Sequence, residues 1–490
     1  MTASGIRVAP PAGPMTGRWR GESAAFLGIP FAEAPVGDLR FALPRRKASW
    51  SDCRAMTAYG PTPQRRPMAE VTTIPEPSIP GTGTLNINVF TPAPGDRSAR
   101  LPVMVWVHGG GFFAGSPASP WYDGRSFNRD GVVTVSLSYR LGIEGFGWLA
   151  DAPSNRGLHD IIAGLEWVAE NIEWFGGDPA RTTIAGQSAG GAAVLCLLAA
   201  PRARGLFSRA AVTSAVPSVA LHASHVEDGK RLAALAGVEP TRAGWAQVEG
   251  ERMPAIEHRT VQRASSLAPD HPLAGTVECA LVDRHVRLPF TPAVDEDLLP
   301  DFRTTDWSFS TTPLLAGMTA DEFVAPGVLA PETPAFAAWL DSVTDGPVDP
   351  WLEVSRDPID PTGRLMTYLD VRRPAADIAL SRHRAGSAAT WLYDYRVRSA
   401  ITKTAMHCHD LPYVWDLLES VGVRDALGDT PPSWVADDLH RAWVDFVSTG
   451  SPGWAPAGDD LHGRRYDEDD ARDSSGVLDG GGPGLRHPYC

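Results

Sequence analysis

The chain has 490 residues, 43% hydrophobic and 21% charged, which is the balance of an ordinary globular protein with material for a large core. A formal net charge of −14 argues against a nucleic-acid partner, because no basic patch is present to neutralise phosphates. No run reaches the roughly 18 apolar residues of a membrane span, and the start, Met1 to Pro11, lacks a basic segment followed by an apolar one. Five cysteines (53, 196, 279, 408 and 490) are scattered, odd in number and without metal-type spacing. The expectation is a cytoplasmic protein with no metal and no organic cofactor. Only three basic residues are lysine (Lys47, Lys230, Lys403), the rest being arginine, as GC-rich bacterial coding would give.

In chain order, the Pro-rich segment 61–83 reads as a surface loop. Val103–Val107 and Val132–Leu137 are continuous apolar runs, the pattern of central parallel strands covered on both faces. From about Leu158 to Trp174, Ile161, Leu165, Val168 and Ile172 form one apolar stripe at helical period, ended by Gly176-Gly177-Asp178-Pro179. Thr182–Ala185 predicts a third strand, and the small apolar run Gly190–Ala199 a second helix. Later strands are expected at Ala210–Thr213, Pro313–Ala316 and Trp391–Tyr395. Strands alternating with crossover helices mean an α/β fold. We read residues 1–490 as a single catalytic domain with insertions at about 218–310 and 325–388, and 467–490 as a mobile acidic tail.

Two motifs follow predicted strands. Gly186-Gln187-Ser188-Ala189-Gly190 has the form of a nucleophile elbow, in which glycines two residues either side clear space for a strained serine. His108-Gly109-Gly110-Gly111 has the form of a loop that turns backbone N–H groups toward a substrate oxygen. It lacks the Lys-Ser/Thr of a phosphate-binding loop. Gly110, Gly111 and Ala189 are the expected oxyanion donors. A serine nucleophile needs a base, and the base an orienting acid. The chain order Ser, acid, His places the acid at Asp321 or Glu322 and the base at His407 or His409. The residues alone leave both pairs open, and leave a metal reading of His407-Cys408-His409-Asp410 as a competitor.

Taken together, the landmarks resemble the type B carboxylesterase family, the cholinesterase-like branch of the α/β hydrolases, and bacterial para-nitrobenzyl-esterase-type members in particular. They include Phe26–Phe41, Leu85–Pro92, His108–Phe112, Tyr139–Gly142, Asn155–Leu158, Asn171–Pro179, Gly186–Gly190 and Trp443–Pro452. The resemblance implies an α/β-hydrolase fold: a large, mostly parallel sheet flanked by helices, with lid-like insertions. It implies a serine carboxylic-ester hydrolase acting on a small-molecule ester through Ser188, Glu322 and His407, with Ser214 supporting the acid. An inactive recognition protein on the same fold, or a serine acyltransferase or amidase, is the alternative.

Four departures accompany the resemblance. Gly81–Thr84 leaves Arg40 without its expected acidic partner, and Thr62 and Thr84 stand where the family's first disulfide would be. Gln187 replaces the commoner Glu and is expected to alter only the local charge of the elbow. Phe323 replaces the usual glycine after the acid and is expected to change how that loop packs.

Overall fold

Alternating apolar runs and crossovers assemble into one sheet of thirteen strands among the described residues of this computed structural model, which are 5–63, 73–248, 252–264, 290–295, 297–301, 307, 310–324, 361–468 and 470–474. The strands are β1 (Ile6–Val8), β2 (Met15–Arg20), β3 (Ser23–Pro30), β4 (Arg54–Ala55), β5 (Asn86–Thr91), β6 (Leu101–Val107) and β7 (Val133–Leu137). They continue as β8 (Gly177–Gln187), β9 (Arg209–Thr213), β10 (Leu314–Thr319), β11 (Thr390–Tyr395), β12 (Gly463–Tyr466) and β13 (Ala471–Ser474). Their order is β1-β2-β3-β5-β7-β6-β8-β9-β10-β11-β12-β13, with β4 pairing β2 off this path. Pairing is antiparallel from β1 to β7, parallel from β7 through β12, and antiparallel again at β13.

Period-two alternation divides the core between the two faces. Val103, Val105 and Val107 of β6 join one apolar cluster with Leu158, Ile161, Leu165 and Val168 of helix α3 (Arg156–Asn171), chain-earlier helices being α1 (Arg125–Arg129) and α2 (Gly142–Phe146). Met104 and Trp106 join the other, with Val435, Leu439, Trp443 and Phe446 of the helix Ser433–Thr449. With both faces covered, the central strands carry no polar surface, which is why they read as continuous apolar runs.

The central elements fall where the sequence predicts them. The antiparallel strands β1 to β3 and β5 are not predicted: β1 is short, β2 mixes polar and apolar residues, and the buried β3 and β5 carry small or polar residues (Ser23, Asn86, Asn88, Thr91) among apolar ones, so no clean period marks them. At the other end, 471–474 of the stretch expected to be mobile forms β13 against β12, with Arg464↔Asp473 and Arg465↔Arg472 in register.

A buried ion pair and a half-buried one tie the loops near α2 together. Arg140 donates to Asp160 through Nε (2.8 Å) and Nη2 (2.7 Å) and to the carbonyls of Arg40 and Ala42 through Nη1. Such full satisfaction is what a buried charge requires. Arg40 has an acidic partner after all: its Nε donates to Glu144 Oε1 of α2 at 2.7 Å, and its Nη1 to the carbonyls of Trp245 and Val248. The replacement comes from a helix distant in sequence, which no local spacing could reveal.

Next to this pair, Glu257 of the helix Arg252–Ala264 accepts the Ile143 N–H at 2.8 Å with its carboxyl buried. Desolvation and the neighbouring Glu144 push it up to about 8. Its folded value lies above the unfolded 4.5, so its contribution to stability is fully present below pH 4.5 and is lost as pH rises through 8. Glu257→Gln keeps the acceptor and removes the charge. Its melting temperature is expected to match the parent's at pH 5 and exceed it at pH 9, followed by circular dichroism; an equal difference at both pH values contradicts this.

Candidate active site

The parallel strands end side by side. Val107 pairs with Gly186, Gln187 with Thr213, Thr213 with Gly317, and Thr319 with Tyr395. The segments leaving β6, β8, β9 and β10 therefore meet at one edge, the carboxyl ends where α/β folds bind ligands.

Ser188 stands between β8 and helix α4 (Ala189–Ala199) with φ 55° and ψ −124°, a conformation that L-residues with a side chain rarely adopt. The surroundings enforce it. Its N–H donates to the Thr213 carbonyl (3.0 Å) and its carbonyl accepts from Ala192 (2.9 Å). A Cβ on Gly186 would lie 2.6 Å from the Gly190 carbonyl carbon, and one on Gly190 would lie 2.1 Å from the Val107 oxygen. Both motif glycines are thus required by backbone packed on backbone. Helix α4 is buried throughout, and its amino end points N–H groups and a positive dipole toward Ser188.

Beside it, the loop after β6 turns at Gly110 (φ 115°) and Gly111 (φ 58°). The Gly110 carbonyl accepts from Phe113 and Ala114, which holds the turn closed. His108 stacks on Tyr139 with ring centroids 4.7 Å apart, and the Tyr139 hydroxyl donates to the His108 carbonyl. Among the described residues, the N–H groups of Gly110, Gly111 and Ala189 donate to no protein acceptor. They remain available for an oxygen anion.

Of the two open pairs, the structure brings Glu322 and His407 together. His407 Nδ1 lies 2.5 Å from Glu322 Oε2, and the Thr319 N–H donates to Glu322 Oε1 at 2.7 Å. The two loops are also joined through backbone: the His407 N–H donates to the Glu322 carbonyl and the Asp321 N–H to the Ala405 carbonyl. Asp321 turns its carboxylate to the Ala405 N–H instead. His409 Nδ1 accepts from the Met406 N–H, and burial pushes that imidazole down to about 4. The side chains of the competing metal reading diverge onto separate partners: His407 onto Glu322, His409 onto Met406, and Asp410 onto the hydroxyls of Thr213 and Tyr393. Burial holds the Asp410 carboxyl up at about 6.

Ser214 and Gln187 differ from expectation. Ser214 adopts φ 48° and donates its N–H to the Gly317 carbonyl, but its buried hydroxyl makes no hydrogen bond among the described residues. The N–H that reaches the Glu322 carboxylate from the strand end is that of Thr319. Gln187 does more than alter local charge: its Nε2 lies 3.0 Å from His407 Nε2. Ser188 Oγ makes no hydrogen bond to His407 among the described residues. Phe323 stacks on the His407 ring, with centroids 5.4 Å apart and planes at 29°. These two contacts were visible in the sequence only as departures from the family's usual residues.

Comparison with known proteins agrees with this architecture. The carboxylesterase family profile matches residues 7–336. The para-nitrobenzyl esterase of Bacillus subtilis (strain 168) is 32% identical over 447 residues, 87% of this chain and 86% of that protein. The liver carboxylesterase of Sus scrofa is 30% identical, over 93% of this chain and 85% of its own. A solved PNB esterase superimposes with a TM-score of 0.78 at 27% identity, over 96% of this chain and 98% of the other. A thermophilic PNB esterase gives 0.80 at 26% identity, over the same shares. Among the described residues, no helix is long and apolar enough to cross a membrane. The chain belongs to the carboxylesterase family and is a serine carboxylic-ester hydrolase on the α/β-hydrolase fold.

Proposed function

We propose that Ser188 is the nucleophile of this hydrolase, His407 its general base and acid, and Glu322 the carboxylate that orients the imidazole. His407 Nε2 takes the Ser188 proton as Oγ attacks the ester carbonyl. The N–H groups of Gly110, Gly111 and Ala189 receive the oxyanion, and His407 returns the proton to the leaving alcohol. Water, activated by the same nitrogen, then releases the acyl group. Glu322 accepts from Nδ1 throughout, fixing the tautomer and stabilising the imidazolium. The observation that carries this reading is the Glu322–His407 contact of 2.5 Å at the strand edge that also holds the strained Ser188.

Substrates are small carboxylic esters, as the family implies, and we place the protein in the cytoplasm without a nucleic-acid partner or a bound cofactor. Ser214 supports the acid through its backbone N–H on Gly317 of the strand that leads to it, rather than through its hydroxyl.

Ser188→Ala is expected to lower turnover of para-nitrophenyl acetate and butyrate by at least about 10⁴-fold with an unchanged circular dichroism spectrum. Near-native turnover contradicts the assignment. Glu322→Gln cannot hold the Nδ1–H tautomer in the same way and is expected to lower kcat by roughly 10³- to 10⁴-fold with KM little changed. A loss confined to KM contradicts its orienting role.

A further inference from the structure

The nitrogen of His407 that has to take the serine proton already carries a hydrogen bond. Glu322 accepts at Nδ1, so Nδ1 holds the ring proton and Nε2 of the neutral imidazole offers a single lone pair. Gln187 Nε2 lies 3.0 Å from it. The second N–H of the same amide reaches Cys408 Sγ at 3.0 Å. Its Oε1 packs over Gly109, where a Cβ would come within 2.4 Å. The first glycine of the oxyanion loop is therefore needed to admit this side chain. Gln187 is 1% exposed, and its backbone is fixed in β8 opposite Thr213. Phe323, stacked on the ring and tied by its N–H to Thr367 Oγ1, limits how far the imidazole swings away.

We propose that Gln187 is a positioning residue that competes with Ser188 for His407 Nε2, so that the serine hydroxyl must displace an amide donor before it is deprotonated. This rests on the Ser188–His407–Glu322 reading. An amide N–H can bond the neutral ring but not the imidazolium, whose Nε2 bears hydrogen. Gln187 thus favours the unprotonated base while slowing access to it. A carboxylate at the same place accepts from the imidazolium and acts in the opposite sense.

The other titratable groups around the ring do not duplicate this effect. Glu322 sits on the far nitrogen, and Asp321 is engaged by the Ala405 N–H. Burial keeps the Cys408 thiol and His409 neutral across the working range, raising the first and lowering the second to about 4. Asp410, held at about 6, does change charge near the base, but it is common to every variant compared.

The test is the pH profile of kcat/KM for para-nitrophenyl acetate between pH 5 and 9, normalised to active sites by fluorophosphonate titration. Gln187→Met is expected to move the acidic limb up by about half a unit, the size of one neutral hydrogen bond. Its plateau is expected to equal or exceed the parent's, by up to about fivefold, since Ser188 then meets no competitor. Gln187→Glu is expected to move the limb up by more than about one unit. Gln187→Asn, which withdraws the amide by one carbon, is expected to follow Gln187→Met and carries the test if either of the others fails to fold. A profile that superimposes on the parent's, or a plateau that falls in Gln187→Met and Gln187→Asn, overturns the proposal. If Ser188→Ala and His407→Gln are inactive while the Gln187 variants trace the parental profile, the Gln187 assignment alone fails. If Ser188→Ala and His407→Gln stay active, the underlying reading fails.

Discussion

Parallel register across β6, β8, β9 and β10 is the constraint on which the rest depends. Hydrogen bonding between these strands brings Val107, Gly186, Gln187, Thr213 and Gly317 to one level, with Thr319 just beyond. Everything with chemistry leaves from that level: the glycine loop, the elbow, Ser214 and the acid loop. A slip of one residue in any strand would turn its side chains to the other face and carry its loop away from the others. The two cores oppose such a slip, because it would exchange Val103, Val105 and Val107 for Met104 and Trp106 between two spaces that are already filled.

The edge then stores strain in a small space. Phe112, Ser188, Ser214 and Cys408 all have positive φ without being glycine, each on a loop at or next to the site. Positions of this kind cost about 1–3 kcal/mol apiece and persist only where the surroundings over-determine them. Here the surroundings are backbone hydrogen bonds between loops: Ser188 to Thr213, Ser214 to Gly317, His407 to Glu322. The loops are held by one another as much as by the sheet. The loops are consequently preorganised, so the N–H groups proposed to receive the oxyanion would need little reorganisation when charge appears.

Much of this was legible in the sequence, for identifiable reasons. Central strands bury both faces and so announce themselves as apolar runs, and Gly186, Gly190 and Gly110 are dictated by backbone contacts that admit no Cβ. Ser188 was therefore readable from its neighbours. That Glu322 rather than Asp321 meets His407 was not readable from the residues alone, because both lie on one turn and only the tertiary pairing with 403–409 separates them. Resemblance to the family supplied what spacing could not. The Arg40–Glu144 pair and the Gln187–His407 contact escaped for the same reason: each joins residues more than 100 positions apart, and neither has a local signature. Substrate preference is less legible still, since the insertions expected at about 218–310 and 325–388 carry no recognisable motif; 265–289 and 325–360 among them lie outside the described residues.

On the proposed mechanism one serine, activated by His407, carries the acyl group. Incubation with a slow-turnover fluorophosphonate followed by peptide mass spectrometry tests it most directly. One equivalent of adduct is expected on the Ser188 peptide, formed at least about 10³-fold more slowly in His407→Gln and absent in Ser188→Ala. Stoichiometric adduct on another residue, or undiminished labelling of Ser188 without His407, would contradict it.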